Sequence, residues 1–426
     1  MNVIGVDFGT TNTVLAFPDG NGACVHRFAR DGQLLEAART TLSFRRSPKP
    51  GGLPLAEAGP WAIQDFIDSP EDTRFLQSFK SFAASASFTD TAVFTRRYKF
   101  EDLLQAFLGR LREHSGLRDF PQRIVIGRPV TFAGQSPDDA LAQRRYETAL
   151  KVLGFTDITY VLEPVAAAHF YAQGLKRDAV ILVGDFGGGT SDFSILRFKA
   201  TPKGATAEAL AHSGIGIAGD SFDYRIIDNV VSPRLGKHAT YKSWGKTLPV
   251  PIHYFASFSR WNELCLMQRP EVLRELRDLA RNSSSRAELQ SLVDLIEGGV
   301  SYELYRTVSQ VKAKLSEQEL AEFSFNASGV NIEAAISRSD FEKWIAEDLE
   351  KIGRTADDAI AKAGLVPADI DRVFLTGGTS FVPAVRHLFE RRFPADRIDT
   401  GEQLLSIAKG LALIGAGDEA EKWAAA

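Results

Sequence analysis

An α/β fold in two lobes, each built on a mixed sheet flanked by helices, is what this sequence predicts, and three observations predict it. The first is a device used twice. Val3-Ile4-Gly5-Val6-Asp7 runs through a Gly/Thr/Asn turn into Val14-Leu15-Ala16-Phe17, and Val180-Ile181-Leu182-Val183-Gly184-Asp185 runs through a glycine-rich turn into Phe193-Ser194-Ile195-Leu196. The second is an alternation of strand-like and helix-like segments between and after these hairpins, the pattern of sheets covered by helices. The third is size: 426 residues exceed what one compact core usually holds.

The elements follow in order. Phe100 to Arg112 carries an apolar stripe at Leu103, Leu104, Phe107, Leu108 and Leu111, which predicts a helix. Arg123 to Gly127 reads as a buried strand closed by Arg128-Pro129, Ala140 to Leu153 as a helix and Thr159 to Leu162 as a strand. Glu163-Pro164 then opens an alanine-rich helix running to Ala172, with proline in its favoured first turn. After the second hairpin, Val231 to Ser301 is rich in Arg, Glu and Leu and predicts a mostly helical insertion, with Trp244 and Trp261 in its core. From Asp371 the pattern returns as Val373-Phe374-Leu375-Thr376-Gly377-Gly378 followed by a helix from Val382-Pro383, and Ser406 to Ile414 makes a last helix. The predicted division is a first lobe over residues 1–176, with residues 39–117 as an inserted subdomain, and a second over residues 177–426. The second lobe contains the helical insertion at about residues 231–305, and its last helix, about 403–416, packs back towards the first.

Composition removes several function classes. Hydrophobic residues at 44% and charged residues at 24% are globular values, so neither a disordered nor a fibrous chain is expected. A net charge of −4 gives no general attraction to nucleic acid or to anionic lipid, so neither is an expected partner. Arg96-Arg97, Arg144-Arg145 and Arg391-Arg392 are read as solvated faces. Cys24 and Cys265, far apart and in no metal-binding spacing, exclude a disulfide framework and suit a reducing cytosol. With no signal-like start and no apolar run of membrane-spanning length, the expected setting is the cytoplasm.

The chemistry lies in the turns. A polyphosphate needs backbone N–H donors that approach its oxygens closely, which demands small side chains. Gly9, Thr10 and Thr11 in the first turn, which Asn12 closes, and Gly187, Gly188, Gly189 and Thr190 in the second, meet that need. Their spacing is not that of the GxxxxGK[ST] loop. Asp7 and Asp185 end strands that should be buried, where a carboxylate is costly unless a cation or strong donors face it. A magnesium ion bridging phosphates and held through its waters would be such a partner. The plain alternative, two ordinary turns each capped by its own aspartate, is weakened by finding the pattern twice.

Those residues closely resemble a known family. Ile4 to Thr13 resembles the first phosphate loop of DnaK-type heat-shock chaperones, of the actin-like ATPase superfamily, and Asp185 to Asp192 resembles the second. Thr376-Gly377-Gly378-Thr379-Ser380 resembles the adenosine-contacting loop, Ala218 to Asp223 another nucleoside-side segment, and Glu163 to Ala168 the inter-lobe segment. The resemblance runs in order to about Ala416 and is greatest to the stand-alone YegD-type proteins. It implies an actin-like ATPase fold that binds ATP or ADP with magnesium, potassium being a further candidate, and a protein client or regulator of unknown identity. By position it implies that Asp7 and Asp185 hold hydrated magnesium, and that Thr10 and Thr190 contact phosphate. Lys80 would orient the attacking water, with Asp192 and Glu163 completing the network. Gly219, Asp220, Lys312, Ser316, Gly377, Gly378, Thr379 and Phe381 would lie on the nucleoside side, and Pro129 and Arg144 at an inter-lobe switch.

Departures matter as well. Phe381 stands where the family usually has an arginine, Ser309 where a glutamate is expected and Ala313 where a basic residue is expected. The aspartate expected near Glu402-Gln403-Leu404 is missing. An altered nucleoside grip, with weaker or less adenine-selective binding, is therefore expected. Full-length chaperones carry a β-rich peptide-binding domain and a lid, for which no matching sequence follows here. The expected function is a slow magnesium-dependent ATPase whose nucleotide state sets the lobe angle. Rival expectations are a nucleotide-gated binding module with little hydrolysis, an actin-like filament protein, and a small-molecule kinase on the same clamp.

Overall fold

Val3–Phe8 is nearly all apolar, as a strand covered on both faces must be, and it lies inside a sheet. The sheet order is Asp157–Leu162, Arg123–Arg128, Val3–Phe8, Asn12–Asp19, Gly22–Val25, with Ala38–Arg39 also pairing Asn12–Asp19. Val3–Phe8 is antiparallel to its hairpin partner Asn12–Asp19 and parallel to Arg123–Arg128. The helix Asp139–Val152 supplies the crossover to the parallel neighbour Asp157–Leu162, as a parallel pair requires. This computed structural model describes residues 3–20, 22–49, 51–69, 72–117, 120–132, 136–172, 177–201, 204–259, 267–399, 405–417 and 423. Cys265, Trp261 and the Glu402–Leu404 segment lie outside the described residues.

A second sheet repeats the plan. Its order is Gly204–Ile215, Ser191–Thr201, Ala179–Phe186, Arg372–Thr376, Ile398–Asp399. Ala179–Phe186 is antiparallel to Ser191–Thr201 and parallel to Arg372–Thr376. Asp7 and Asp185 therefore hold equivalent positions, each the last residue but one of a central strand. Asp7 pairs across with Val14, Asp185 with Asp192. The duplication visible in the sequence is a duplication of sheet topology.

By its contacts the chain divides into two compact units, one of Met1–Ala218, Ile352–Ser380 and Arg386–Ala426, the other of Gly219–Lys351 and Phe381–Val385. Both sheets belong to the first. A large aromatic core lies in this unit: Phe8 meets Phe79 and Phe107, and Phe79 meets Phe100 and Phe107. Its C-terminal helix Ser406–Ala416 crosses the helix Glu163–Ala172 very closely. A Cβ at Gly410 would lie 1.8 Å from the Ala166 carbonyl oxygen, so only glycine allows that approach.

The second unit contains the helices Gly219–Ile226, Pro270–Arg281, Arg286–Glu297 and Ser301–Glu317 and the hairpin Leu320–Ala327/Val330–Ser337. The segment expected to be a helical insertion holds Pro270–Arg281 and Arg286–Glu297 and also a short hairpin, Thr240–Ser243 with Lys246–Pro249. Trp244 corrects the sequence reading. Expected in the core, it is 100% exposed at the hairpin tip, with φ +49° beside Gly245 at +74°. Arg145, expected on a solvated face, is likewise engaged. It donates to the carbonyls of Phe82, Ala83, Ser85 and Phe88, pinning the segment that follows Lys80.

Candidate functional site

The two hairpin turns are built alike. The Gly9 amide donates to the Asn12 carbonyl at 3.0 Å, and the Gly187 amide to the Thr190 carbonyl at 3.0 Å. A Cβ at Gly9 would lie 2.4 Å from that Asn12 oxygen, so the first turn closes only over glycine. A threonine from elsewhere holds each glycine carbonyl: Thr40 Oγ1 donates to Gly9 O at 2.7 Å, and Thr379 Oγ1 to Gly187 O at 2.8 Å. The Thr40 amide also donates to the Thr11 carbonyl at 2.9 Å. With carbonyls tied from behind, Gly9 to Asn12 and Gly187 to Thr190 form part-exposed turns suited to anion contact. Gly377 lets the third loop reach the second turn. It takes φ +83°, and a Cβ there would lie 2.3 Å from the Phe186 carbonyl oxygen.

Beneath the turns lies a buried charge cluster. Lys80, Glu163, Asp185 and Asp192 are all buried and Asp7 is partly so. Lys80 sits in a 3-10 turn, Phe79–Phe82, entered through Ser78 in the left-handed region at φ +52°, a strained entry of the kind found at functional sites. Its ammonium meets Glu163 Oε1 at 2.6 Å and lies over the Phe8 ring, 5.9 Å from the centroid. Asp192 accepts the Thr131 amide at 3.1 Å through Oδ1, while its buried Oδ2 has no hydrogen-bond partner among the described residues.

The electrostatics are those of too much negative charge for one lysine. Burial first, then Glu163, hold the Asp7 carboxyl up at about 7, and the same two causes hold Asp192 at about 7. Asp185 is raised well above its ordinary range by burial, Glu163, Asp7 and Asp192 together. Although burial opposes it, the Lys80 ammonium is held above its usual range, chiefly by Glu163. A divalent cation with a polyphosphate fits this donor set: carboxylates in excess, an orphaned Asp192 oxygen, and glycine turns above them. Among the described residues no three His, Cys, Asp or Glu side chains are grouped as direct ligands of one metal ion.

A family model for the Hsp70 protein matches residues 138–240 and 288–420, more than half of the chain. The chain belongs to the Hsp70 family. Curated relatives agree. The chaperone protein DnaK of Thermosipho melanesiensis is 26% identical over 427 residues, covering 98% of this chain and 60% of that protein. The DnaK proteins of Thermosipho africanus and Mycoplasmoides gallisepticum are 25% and 26% identical, each over 92% of this chain and 55% and 56% of their own length. The chain thus spans little more than half the length of the curated relatives it matches.

In this Hsp70-family chain the residues expected on the nucleoside side fall in both units. Gly377, Gly378 and Thr379 belong to the first. In the second unit, Gly219 and Asp220 open the helix Gly219–Ile226, and Lys312 Nζ meets the Gly219 carbonyl at 3.0 Å and Asp223 Oδ1 at 2.9 Å. Ser316 Oγ donates to the Lys312 carbonyl at 3.2 Å, and Phe381 is 52% exposed. Pro129 is buried at the end of its strand and Arg144 is exposed on its helix. Sequence reasoning missed Thr40, Thr131, Arg145 and Tyr146. None of them carried a signal, since the residues they meet lie dozens of positions away along the chain.

No helix among the described residues is long and apolar enough to cross a membrane.

Proposed function

We propose that this Hsp70-family chain is a chaperone-like, ATP-binding protein and a slow magnesium-dependent ATPase, whose nucleotide state sets the angle between its lobes for a protein client or regulator. The observation that carries the reading is the pair of equivalent hairpins, each ending in a carboxylate and a glycine turn, above the buried Lys80–Glu163 pair. In this reading the amides of Gly9 to Asn12 and Gly187 to Thr190, with the hydroxyls of Thr10 and Thr190, bind the phosphates. Asp7 and Asp185 would hold magnesium, which would neutralise phosphate charge. Lys80 and Asp192 orient a water in line with the γ-phosphate. As the water oxygen bonds to phosphorus, the bond to the β-phosphate oxygen breaks and ADP leaves. The ionised Asp192 carboxylate, its pKa raised to about 7 by burial and Glu163, can accept the proton the water gives up. The stand-alone YegD-type assignment, the roles of the nucleoside-side residues and of Pro129 and Arg144, and a cytoplasmic setting belong to the same proposal.

The test is single-turnover hydrolysis with Lys80→Ala beside the unchanged protein. The expected loss is about 100-fold or more, in the range positioned proton-transfer groups contribute; undiminished hydrolysis would sink the assignment. With Phe381, Ser309 and Ala313 at the nucleoside positions, calorimetry should show little preference for ATP over GTP. Tight, strongly adenine-selective binding would contradict that part.

One observation favours a second reading, a nucleotide-gated module that hardly hydrolyses: Lys80 is committed to Glu163 at 2.6 Å. Under that reading single-turnover experiments give bound ATP and almost no ADP.

A further inference from the structure

The hydroxyl of Tyr146 is buried and makes no hydrogen bond among the described residues. Its ring is fixed from several sides: edge-on to Phe8 at 5.9 Å, stacked on Phe100 at 5.7 Å and edge-on to Phe132 at 6.2 Å. The same Phe8 ring lies under the Lys80 ammonium. After burial, the strongest influences on the phenol are the charges of Lys80 and Glu163, so the oxygen lies within electrostatic reach of that pair. Burial raises the phenol above its ordinary range and keeps it a neutral O–H. A buried donor left unmade is costly and rare, and a phenylalanine would fill this aromatic cage without the cost. The hydroxyl therefore asks for a partner that arrives in another state of the site.

We propose that Tyr146 is a positioning residue for the nucleotide site, its O–H taking over Glu163 when Lys80 turns from that carboxylate to the phosphate side. The inference rests on the ATPase reading above. Lys80 has three N–H donors and spends one on Glu163 Oε1 at 2.6 Å. To hold a water or a phosphate oxygen it must loosen that bond, and a buried carboxylate deprived of its cation is strongly disfavoured. A phenol fixed by its ring, with an uncommitted proton, supplies the replacement without a charge of its own. The backbone after Lys80 is pinned by Arg145, so the exchange falls to side chains: as the ammonium turns away, the Glu163 carboxylate swings to the fixed phenol. Tyr146 and Arg145 are neighbours on one helix, so Asp139–Val152 serves both ends of the Lys80 segment.

The test uses Tyr146→Phe, which keeps the ring and removes only the hydroxyl. Single-turnover hydrolysis should slow about tenfold, the worth of one hydrogen bond, with ATP affinity and melting temperature held. Tyr146→Phe combined with Lys80→Ala should be no slower than Lys80→Ala alone, because the phenol acts through the lysine. In ultraviolet difference spectra a non-hydrolysable ATP analogue with magnesium should red-shift a tyrosine band in the unchanged protein and not in Tyr146→Phe. Equal hydrolysis with an identical difference spectrum, or a loss that multiplies with Lys80→Ala, would overturn the proposal while leaving the ATPase reading intact. If the unchanged protein binds the analogue but turns nothing over, the ATPase reading falls alone and the spectrum decides Tyr146. If it binds no nucleotide, both fall.

Discussion

His169 shows what burial does to a single side chain. Its Nδ1 has no hydrogen-bond partner among the described residues, its ring stands edge-on to Trp423 at 4.9 Å, and desolvation lowers its pKa from 6.5 to about 4. A folded-state value below the unfolded one means that the fold binds fewer protons there. The contribution is intact above pH 6.5 and is lost as pH falls from there towards 4. Denaturant midpoints followed across that range should show stability falling by about 2–3 kcal/mol from this residue. His169→Leu should flatten that part of the profile, and an unaltered slope would contradict the burial argument. Beside the Ala166-Ala167-Ala168 run a histidine is more often packed or solvated than a ligand, and that much the sequence carries. It could not choose between the two, because the ring that covers His169 lies far along the chain. Arg145 and Tyr146 were illegible for the same reason. Along the helix, Ala142, Tyr146 and Ala149 read as an ordinary apolar stripe and Arg145 as a solvated charge; only folding brings Phe8 and the residue 82–88 carbonyls to them.

At the scale of elements, the hairpins and crossovers were legible because each is a local pattern: apolar runs broken by glycine, or a 3.6-residue stripe. The short hairpin in the insertion was not, since Thr240-Tyr241-Lys242-Ser243 is four mostly polar residues and its turn is the unlikely pair Trp244-Gly245. Both turn residues have positive φ, the geometry of a tight hairpin that asparagine or glycine usually supplies. Because Trp244 is wholly exposed, it loses no packing when replaced, and Trp244→Asn should stabilise the protein by about 1 kcal/mol in chemical denaturation. A destabilising result would show that the indole holds something. Gly410 is the opposite case. In an open helix, glycine to alanine stabilises by about 1 kcal/mol. Here the added methyl would run into the Ala166 carbonyl at 1.8 Å, so Gly410→Ala should instead cost about 3 kcal/mol, read from the same denaturation curves.

For the whole molecule, two sheets of the same plan bring Asp7 and Asp185 to matching strand ends within electrostatic reach of each other and of the Lys80–Glu163 pair. The doubled Asp-Phe-Gly pattern made that arrangement legible before any coordinate. What holds the turns in place, Thr40 and Thr379 behind the glycine carbonyls, was not legible as a pair, because the duplication does not extend to those segments. The division into compact units also escaped the sequence: the second unit is an excursion from Gly219 to Lys351 that returns briefly at Phe381–Val385, and no change in composition marks its edges. The account turns on the shared grip of the two carboxylates. Calorimetric titration of ADP, with magnesium and with chelator, into the unchanged protein and Asp185→Asn tests it most directly. Binding should require magnesium and should weaken about tenfold or more in Asp185→Asn, the loss of one charge-assisted contact. Equal affinity in the variant, or affinity untouched by chelator, would contradict it.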